Sequence, residues 1–256
     1  MSTASPSRIA LVTGGSRGLG KSMALALADQ GVDVVITYRK EAAEARSVVD
    51  AITAKGRKAA ALQLDVGDAK SFPAFVEALR RELESRFGRP TLDVLVNNAG
   101  VGLHASFAET TEEQFDDLMN IHLKGAFFLT QRALPLLVDG GRILNVSTGL
   151  ARFCLPGYAA YATMKGGVET LTRYLAKELG PRRISVNVLA PGAIATDFGG
   201  GAVRDNPQIA GFVASVTAQG RPGQPEDIGG AVAKLLSPEM GWMTGQRIEL
   251  SGGMFL

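Results

Sequence analysis

The sequence predicts an α/β protein in which helices cover both faces of a doubly wound parallel sheet. Short apolar runs rich in Val and Ile alternate with stretches of helical spacing from one end of the chain to the other. These runs are apolar throughout, as in strands that a parallel sheet buries on both faces. We find no repeat and no linker long enough to divide the 256 residues, so we expect a single domain spanning 1–256.

The predicted elements follow one another in a regular order. Each strand is a short run rich in branched apolar residues, and each helix carries apolar residues three or four positions apart. Two stretches interrupt the alternation: 150–160 is predicted as a loop, and the Gly-rich, then mildly apolar stretch 198–219 as a mobile lid. The predicted strands are 9–13, 33–38, 59–65, 92–97, 142–147, 185–189 and 247–250, and the predicted helices are 21–30, 41–55, 72–87, 115–137 and 162–178.

Composition and charge argue against several classes of partner. The 27 basic and 25 acidic residues are interspersed and leave a net charge of +2, so no nucleic-acid partner is expected. No stretch approaches the ~20 apolar residues that cross a bilayer, and the N-terminus lacks an apolar secretion signal. Lone Cys154 cannot form an internal disulfide, and the histidines and cysteine lack the spacing of a metal site. We therefore expect a cytoplasmic protein without a membrane partner and without a metal.

A glycine-rich turn connects the first predicted strand to the first helix. It runs Thr13-Gly14-Gly15-Ser16-Arg17-Gly18-Leu19-Gly20. Glycines at 14, 18 and 20 allow a tight turn and a close approach of the backbone to a pyrophosphate, whose charge faces the N-terminus of the helix. A plain β–α turn could use the same residues, but the position between strand and helix favours a nucleotide site.

Four further stretches follow the glycine turn along the chain. They are Asp65-Val66, Asn97-Asn98-Ala99-Gly100, Tyr161-Ala162-Thr163-Met164-Lys165 and the segment from Pro191-Gly192 to Thr196. Together with the GxxxGxG turn, these stretches resemble the short-chain dehydrogenases/reductases, a family of Rossmann-like oxidoreductases. The resemblance covers nearly the whole chain, down to Ser251-Gly252-Gly253, and is closest to 3-oxoacyl-carrier-protein reductases and related bacterial carbonyl reductases.

The resemblance implies that this chain binds a nicotinamide dinucleotide. In the family, residues matching 65 and 66 contact the adenine, those matching 97–100 line the cofactor, and the loop matching 191–196 lies beside the nicotinamide amide. Lys165 is implied to bond the nicotinamide ribose. The expected cofactor-binding residues are Gly14, Ser16, Arg17, Gly18, Leu19, Gly20, Tyr38, Arg39, Asp65, Val66, Asn98, Ala99, Gly100, Tyr161, Lys165, Pro191, Gly192, Ile194 and Thr196.

Charge at the end of the second predicted strand favours NADP(H) over NAD(H). An NAD site usually presents Asp or Glu there, which accepts hydrogen bonds from the ribose hydroxyls. Here the position is Tyr38, followed by Arg39 and Lys40, and Arg17 lies in the glycine turn on the same side. A 2′-phosphate carries about two negative charges, and arginine offers it planar, charge-assisted hydrogen bonds. The alternative is that both arginines are solvated surface residues.

Tyr161 and Lys165 are the predicted centre of the chemistry. They are four residues apart and therefore project from the same face of a helix. A free phenol has a pKa of about 10, and we expect a nearby ammonium and a positive nicotinamide ring to lower the pKa of Tyr161. Tyr161 would donate its proton to a carbonyl oxygen as hydride arrives, or remove it from an alcohol in the reverse direction.

Two positions of the expected catalytic group depart from the family pattern. Where the family usually has Ser thirteen residues before the Tyr, this chain has Thr148, whose hydroxyl we expect to hold the substrate oxygen. Where the family usually has an Asn that holds a water linking the Lys to solvent, this chain has His122. The ordinary histidine pKa of about 6.5 suits a proton relay, but a packing role explains His122 equally well.

The predicted substrate pocket is largely apolar. Its expected walls are the stretches 150–158, 198–213 and 254–256. This suits a small-molecule carbonyl on an acyl, aliphatic or aromatic body, so a ketone or 3-oxoacyl reductase is expected. Two alternatives stay open: an NADP-linked alcohol or sugar dehydrogenase, because the chemistry is reversible, and a low-activity NADP(H)-binding sensor or scaffold. The apolar side chains of the walls include Phe153, Leu155, Tyr158, Phe198 and Phe212.

The resemblance also implies a homotetramer. The predicted helix 115–137 and the helix that follows Tyr161 are long and apolar. Similar helices form a four-helix dimer face in the family, and the last strand supports a second face.

Overall fold

A parallel sheet forms the centre of the computed structural model, which describes residues 7–256. Its strands in chain order are β1 (Ile9–Val12), β2 (Asp33–Tyr38), β3 (Ala59–Gln63), β4 (Leu92–Asn97), β5 (Leu137–Val146), β6 (Ser185–Pro191) and β7 (Arg247–Leu250). The strands lie in the order β3-β2-β1-β4-β5-β6-β7, and every neighbouring pair is parallel. The predicted doubly wound α/β fold is therefore confirmed.

Helices connect the strands. They are α1 (Gly18–Asp29), α2 (Ala42–Ala54), α3 (Phe72–Glu82), α4 (Glu112–Leu118), α5 (Gly125–Ala133), α6 (Ala159–Glu178), α7 (Ala202–Asp205), α8 (Pro207–Ser215) and α9 (Pro225–Leu235). A π-helical segment, Leu83–Phe87, extends α3, and another, Met119–Lys124, joins α4 to α5. Within residues 7–256, we find no helix with the length and apolar character needed to span a membrane.

The core has two halves, one on each face of the sheet. Side chains of α1, α2 and α9 pack on one face, and those of α3, α5 and α6 on the other. In β1, Ala10 and Val12 face the first group of helices, whereas Ile9 and Leu11 face the second. Consecutive side chains of a strand point to opposite faces, so a strand covered on both sides needs an apolar residue at most positions.

The topology places a crevice at the carboxyl ends of β1 and β4. The chain builds outward from β1 to β3 and then returns to add β4 on the other side of β1. The connections after β1 and β4 therefore leave in opposite directions and open a crevice between them, which is where ligands bind on such sheets. The glycine turn and the segment 97–100 both begin at this point.

The helix predicted at 115–137 is wrong at both ends. It begins earlier because the Thr111 hydroxyl accepts a hydrogen bond from Gln114 N (3.2 Å), while the Gln114 side chain accepts one from Thr111 N (3.1 Å). The α-helix ends at Ala133 and continues as a 3-10 turn over Leu134–Leu136, because Pro135 lacks the N–H that a further α-helical hydrogen bond needs. Strand β5 consequently begins at Leu137 and not at 142.

Other boundaries also differ from the sequence-based expectation. Strand β3 ends at Gln63, ahead of the predicted 65, and α6 begins at Ala159, inside the stretch predicted as a loop. The 198–219 stretch contains α7 and α8, and α9 lies where no helix is predicted. Helix α9 begins at Pro225, and Asp227 accepts a hydrogen bond from Gln224 N (2.7 Å), a local capping signal that apolar periodicity does not detect.

Candidate active site

The glycine turn is held between the ends of β2 and β4. Thr37 of β2 accepts hydrogen bonds from Gly15 N through its carbonyl oxygen (2.9 Å) and from Gly14 N through its hydroxyl (3.1 Å). Asn98, just after β4, donates its side-chain amide to the carbonyl oxygens of Thr13 (2.8 Å) and Gly14 (3.3 Å). Contacts from both neighbouring strands therefore set the shape of the turn.

Two glycines of the turn make approaches that a side chain would prevent. Gly14 has a φ of +63°, and a Cβ added there would lie 2.9 Å from Cα of Ala99. A Cβ added to Gly20 would lie 2.2 Å from the carbonyl oxygen of Gly14. Both distances are shorter than van der Waals contact, so a larger residue at either position would distort the turn.

The N-terminus of α1 fits the pyrophosphate of a dinucleotide. Within the described residues, no side chain caps α1 at its N-cap, Arg17, and its first turn carries no carboxylate. The free N–H groups and the dipole of such a helix end attract an anion. Gly18 faces Thr196 across the crevice, since a Cβ added to Gly18 would lie 3.8 Å from Cβ of Thr196. Ser16 and Leu19, both half-buried, complete the turn.

The side chains predicted to select the 2′-phosphate lie at the rim of the crevice. Arg39 is exposed just beyond β2, Arg17 is exposed at the start of α1, and Tyr38 is half-buried. Asp33 is buried at the opposite end of β2, where its carboxylate accepts a hydrogen bond from Lys58 N (2.9 Å). The positively charged Arg39 therefore follows the carboxyl end of β2 directly, while the carboxylate of Asp33 lies at the other end of the strand.

The segments after β3 and β4 lie at the crevice, but several of their side chains support the backbone. Asp65 is exposed and accepts a hydrogen bond from the backbone N–H two residues on (2.9 Å), and Val66 beside it is half-buried. The Asn98 amide bonds the glycine turn, and its contact with the cofactor stays a prediction. The sequence pattern does not reveal Thr13, whose hydroxyl accepts hydrogen bonds from Asn98 N (2.9 Å) and Ala99 N (3.0 Å).

The loop after β6 forms the opposite wall of the crevice. Pro191 is buried at the end of the strand, and the N–H of Gly192 donates to a carbonyl oxygen of β7 (3.0 Å). Ile194 is half-buried, and Thr196 is buried with its hydroxyl accepting a hydrogen bond from Phe198 N (3.2 Å). This wall therefore continues directly into the stretch predicted as a lid.

Thr148, Tyr161 and Lys165 lie together beside the crevice. Tyr161 and Lys165 are one helical turn apart on α6, and both are buried, with 7% and 5% of their surface exposed. The Lys165 Nζ donates to the carbonyl oxygen of Val146 (2.7 Å) and lies 5.7 Å from the centroid of the Tyr161 ring. Thr148 lies close enough to Tyr161 to act on the pKa of the phenol, in the lowering direction. Two hydroxyl groups therefore lie close together where a single substrate oxygen could bond both.

Burial changes the proton affinities of Tyr161 and Lys165. It raises the pKa of Tyr161 above its ordinary value of about 10, while Thr148 acts in the lowering direction. Burial also lowers the pKa of Lys165 to about 7. In the protein chain by itself the pKa of Tyr161 is therefore raised and not lowered, because burial of the phenol is the larger effect, while the lowering expected from a nicotinamide ring stays a prediction.

His122 is a buried imidazole between the β4 loop and Tyr161. Its Nε2 lies 2.8 Å from the carbonyl oxygen of Val101, and its ring meets that of Tyr161 edge to face, with centroids 5.2 Å apart. Burial, and then the charge of Lys165, lower the pKa of His122 to about 3. A relay that needs the ring to ionise near its ordinary pKa of about 6.5 is incompatible with this environment. A Cβ added to Gly100 would lie 2.6 Å from Cε1 of His122, so this ring needs glycine opposite it.

A buried polar network, which the sequence analysis misses, adjoins this group. Asn97 donates its amide to Oδ1 of Asn145 (2.8 Å), and Asn145 donates to the Thr172 hydroxyl (2.9 Å). His122 and Lys165 line a cavity of about 10 Å³ together with Asn97, roughly the space that one water needs. Among the described residues, neither Nδ1 of His122 nor Oδ1 of Asn97 has a partner. The sequence signal for this network is Asn145, an amide side chain inside the apolar strand β5.

Aromatic side chains from the loop, the lid and the tail contact one another at the entrance. The Phe198 ring centroid lies 5.9 Å from that of Tyr161. Phe255 packs against Phe153 at 4.8 Å and against Phe212 at 6.5 Å between centroids. The three stretches predicted as walls therefore lie together. The other residues assigned to this region are Leu155 and Tyr158, both half-buried, and Cys154, which is exposed.

A dinucleotide-type turn beside a buried Tyr–Lys pair is the arrangement of a nicotinamide-dependent oxidoreductase. The family model described as enoyl-(acyl carrier protein) reductase matches residues 14–255. The chain belongs to this family, the short-chain dehydrogenases/reductases, as its motifs predict, and it is an oxidoreductase.

Relatives are similar to this chain over almost its whole length. The 3-oxoacyl-[acyl-carrier-protein] reductase of Staphylococcus aureus (strain Mu50) is 39% identical over 249 residues, covering 96% of this chain and 98% of the relative. The solved structure of the promiscuous reductase LugOII, which catalyses keto-reduction at C1 during lugdunomycin biosynthesis, has a TM-score of 0.92 and 38% identity, covering 97% of this chain and 98% of that one. The angucycline C-6 ketoreductase LanV with bound NADP has a TM-score of 0.92 and 37% identity, covering 97% and 95%.

Proposed function

We propose that this protein is an NADP(H)-dependent reductase of ketones. The observation that carries the proposal is the placement of Thr148 beside the buried phenol of Tyr161, with Lys165 one helical turn along α6. A carbonyl oxygen placed against the two hydroxyl groups would accept a hydrogen bond from each, which polarises the carbonyl for hydride attack. The glycine turn and the loop after β6 would hold NADPH, which would supply a hydride to the carbonyl carbon when bound.

Tyr161 supplies the proton to the carbonyl oxygen. The phenol, whose pKa burial raises, carries its proton at neutral pH and is therefore in the form that can donate it. Lys165, with its pKa lowered to about 7, exchanges protons readily near neutrality and can return a proton toward the phenol. The alcohol product thus gains one hydride at carbon and one proton at oxygen.

We propose a packing role for His122. Its Nε2 anchors the loop after β4 through Val101, and its pKa of about 3 keeps the ring neutral at the pH of any ordinary assay. With Nε2–H donating to the carbonyl, Nδ1 is left as an acceptor facing the small cavity. A neutral ring in this position can orient a water but does not carry a proton as imidazolium.

The preference for NADP(H) rests on charge. Arg17 and Arg39 present two exposed guanidinium groups at the rim where the ribose would lie, and planar guanidinium groups bind phosphate bidentately. The related ketoreductase LanV carries bound NADP in its solved structure, which supports the same choice here.

The proposed substrate is a ketone on a large apolar body. Phe198 lies near Tyr161, and Phe153, Phe212 and Phe255 pack together beyond it. Such walls favour an aromatic or long acyl ketone over a free sugar. The activities of the related ketoreductases and 3-oxoacyl reductase support a ketone.

The test is NADPH oxidation against aromatic ketones, aliphatic ketones and 3-oxoacyl thioesters. We expect turnover of at least one ketone class, and loss of at least about 10²-fold in kcat in Tyr161→Phe. Tyr174→Phe, on the exposed side of the same helix, is the matched control and retains activity. Oxidation of alcohols or sugars without ketone reduction would favour the dehydrogenase alternative, and NADPH binding without any turnover would favour the sensor.

We also propose that the protein is a homotetramer. Phe115, Phe127 and Phe128 on α4 and α5 are exposed large side chains on helices that the family uses for assembly. Light scattering should give a mass of about four times the 26.8 kDa chain. A monomer mass at micromolar concentration would contradict this proposal.

A further inference from the structure

Four charged side chains form a continuous network behind Thr148. Glu169 of α6 accepts a hydrogen bond from Arg247 Nε of β7 (2.8 Å), and Arg247 Nη1 donates to Glu249 (2.8 Å). Glu249 in turn accepts two hydrogen bonds from Arg152, in the loop after β5 (2.8 and 2.6 Å). The network alternates in sign, so each charge faces an opposite one.

Arg247 reaches the catalytic group through the backbone. Its Nη2 donates to the carbonyl oxygen of Thr148 (3.2 Å). The paired ladder between β5 and β6 ends at Val146 and Leu189, so Thr148 lies beyond the strand pairing. The other bond to this carbonyl is a long one from Ala151 N (3.3 Å). The backbone of Thr148 is therefore supported by the side chain of Arg247, which lies 99 positions away in the sequence.

Glu169 joins the same support from the other side. Its Oε1 accepts hydrogen bonds from both Arg247 Nε (2.8 Å) and the buried hydroxyl of Ser147 (2.8 Å), the residue directly before Thr148. One carboxylate oxygen thus orients the guanidinium and fixes the chain next to the catalytic hydroxyl. The side chains of Glu169 and Arg247 are largely buried, at 13% and 25% exposed, so this ion pair is partly shielded from water.

The geometry of the network requires arginine at 247. Nε, Nη1 and Nη2 bond three different groups in three directions, namely Glu169, Glu249 and the Thr148 carbonyl. A planar guanidinium offers these donors in a rigid fork, whereas lysine has one nitrogen and keeps the charge alone. Replacement of Arg247 by lysine therefore keeps the positive charge but removes the three-way hydrogen bonding, so the two contributions can be told apart.

We propose that Arg247 is a positioning residue for the carbonyl-reducing site: together with Glu169 it holds Thr148 so that its hydroxyl meets Tyr161 and the substrate oxygen. This inference rests on the proposed ketone reductase function. Displacing a group that contacts the reacting atoms by a fraction of an ångström lowers turnover more than binding, so the effect falls on kcat.

The experiment compares Arg247→Lys with Arg89→Lys. Arg89 is the matched control because its side chain has the same 25% exposure and forms an ion pair with Asp93, yet it lies before the amino end of β4, away from the crevice at the carboxyl ends. We expect Arg247→Lys to lower kcat for the ketone about tenfold with the KM for NADPH unchanged, and Arg89→Lys to leave kcat unchanged. Glu169→Gln should lower kcat in the same direction, which provides a second variant if Arg247→Lys folds poorly.

A double-mutant cycle tests whether the effect passes through Thr148. In a Thr148→Ala background, Arg247→Lys should lower kcat by less than about twofold, because there is no hydroxyl left to position. The inference is overturned if Arg247→Lys lowers kcat by the same factor in both backgrounds. It is also overturned if the wild-type enzyme is active and Arg247→Lys alone leaves kcat unchanged.

A readout independent of turnover separates this inference from the proposed function. In threonine-methyl NMR spectra, the signal missing from Thr148→Ala identifies Thr148, and Arg247→Lys should shift it while Arg89→Lys does not. If wild-type protein reduces no ketone but the Thr148 signal shifts as expected, the function fails and the Arg247–Thr148 support stands. An unshifted Thr148 signal overturns the inference whatever the activity.

Discussion

The ammonium of Lys165 donates to the carbonyl oxygen of Val146 at 2.7 Å, deep between α6 and the end of β5. The same Nζ lies over the Tyr161 ring, 5.7 Å from its centroid. Burial lowers the pKa of Lys165 to about 7, while the bond to Val146 holds the nitrogen in place. The pair therefore combines a phenol that retains its proton with an amine that titrates near neutrality.

Lys165 should make the stability of the protein depend on pH. Its pKa is about 7 in the folded chain and about 10.4 in the unfolded chain, so the unfolded chain binds more protons between these values. The stability that depends on Lys165 therefore rises as the pH increases from about 7 to about 10. In urea unfolding at pH 7, 8 and 9, the free energy of unfolding of wild type minus that of Lys165→Met should grow with pH.

The matched control for this measurement is Lys177→Met, an exposed lysine on the same helix. The free energy of unfolding of wild type minus that of Lys177→Met should stay constant at these three pH values. A constant difference for Lys165→Met as well would show that Lys165 has an ordinary pKa in the folded chain.

Thr148 should be replaceable by serine but not by alanine. Thr148→Ser keeps the hydroxyl beside Tyr161 and should retain kcat within a few-fold. Thr148→Ala removes it and also leaves Leu150 N without its acceptor, so kcat should fall by roughly 10²–10³. Steady-state ketone reduction at saturating NADPH measures both, and full activity in Thr148→Ala would contradict the role proposed for this hydroxyl.

His122→Asn should change stability more than pH dependence. Because the pKa of His122 is about 3, its titration lies outside the range of an assay from pH 5 to 9, and the pH–rate profile should keep its shape. Loss of the ring from a buried site should lower the free energy of unfolding by about 1–3 kcal/mol. A shift of a kinetic pKa in this variant would instead support a proton relay through His122.

Arg39 should discriminate between the two nicotinamide cofactors. Arg39→Ala removes a charged hydrogen bond to the 2′-phosphate, so the KM for NADPH should rise about tenfold while the KM for NADH stays the same. Arg86→Ala, at an exposed helical ion pair with Glu82, is the control. Equal effects of Arg39→Ala on both cofactors would contradict the selectivity argument.

The strands were predictable because a sheet covered on both faces needs apolar residues at most positions. β1 and β2 show this in their near-complete burial. The prediction of one helix over 115–137 was wrong for a related reason. Leu134, Leu136 and Leu137 continue an apolar pattern through Pro135, and a buried strand accepts the same residues as a buried helix. Periodicity alone does not separate the two.

The chemical motifs were predictable where local spacing determines the arrangement. Four positions on a helix place Tyr161 and Lys165 on one face, and glycines between a strand and a helix allow the turn. The use of Asn98 to brace that turn was not predictable, because its partners are carbonyl groups 84 and 85 positions earlier in the chain.

The sequence by itself determined the α/β architecture, the order of the motifs and the pairing of Tyr161 with Lys165, since each depends on periodicity or on short spacing. Only the tertiary structure decided the proton affinities of these two side chains and of His122, because desolvation depends on everything packed around a group. It also brought Arg247 to Thr148, a contact that only the folded sheet creates.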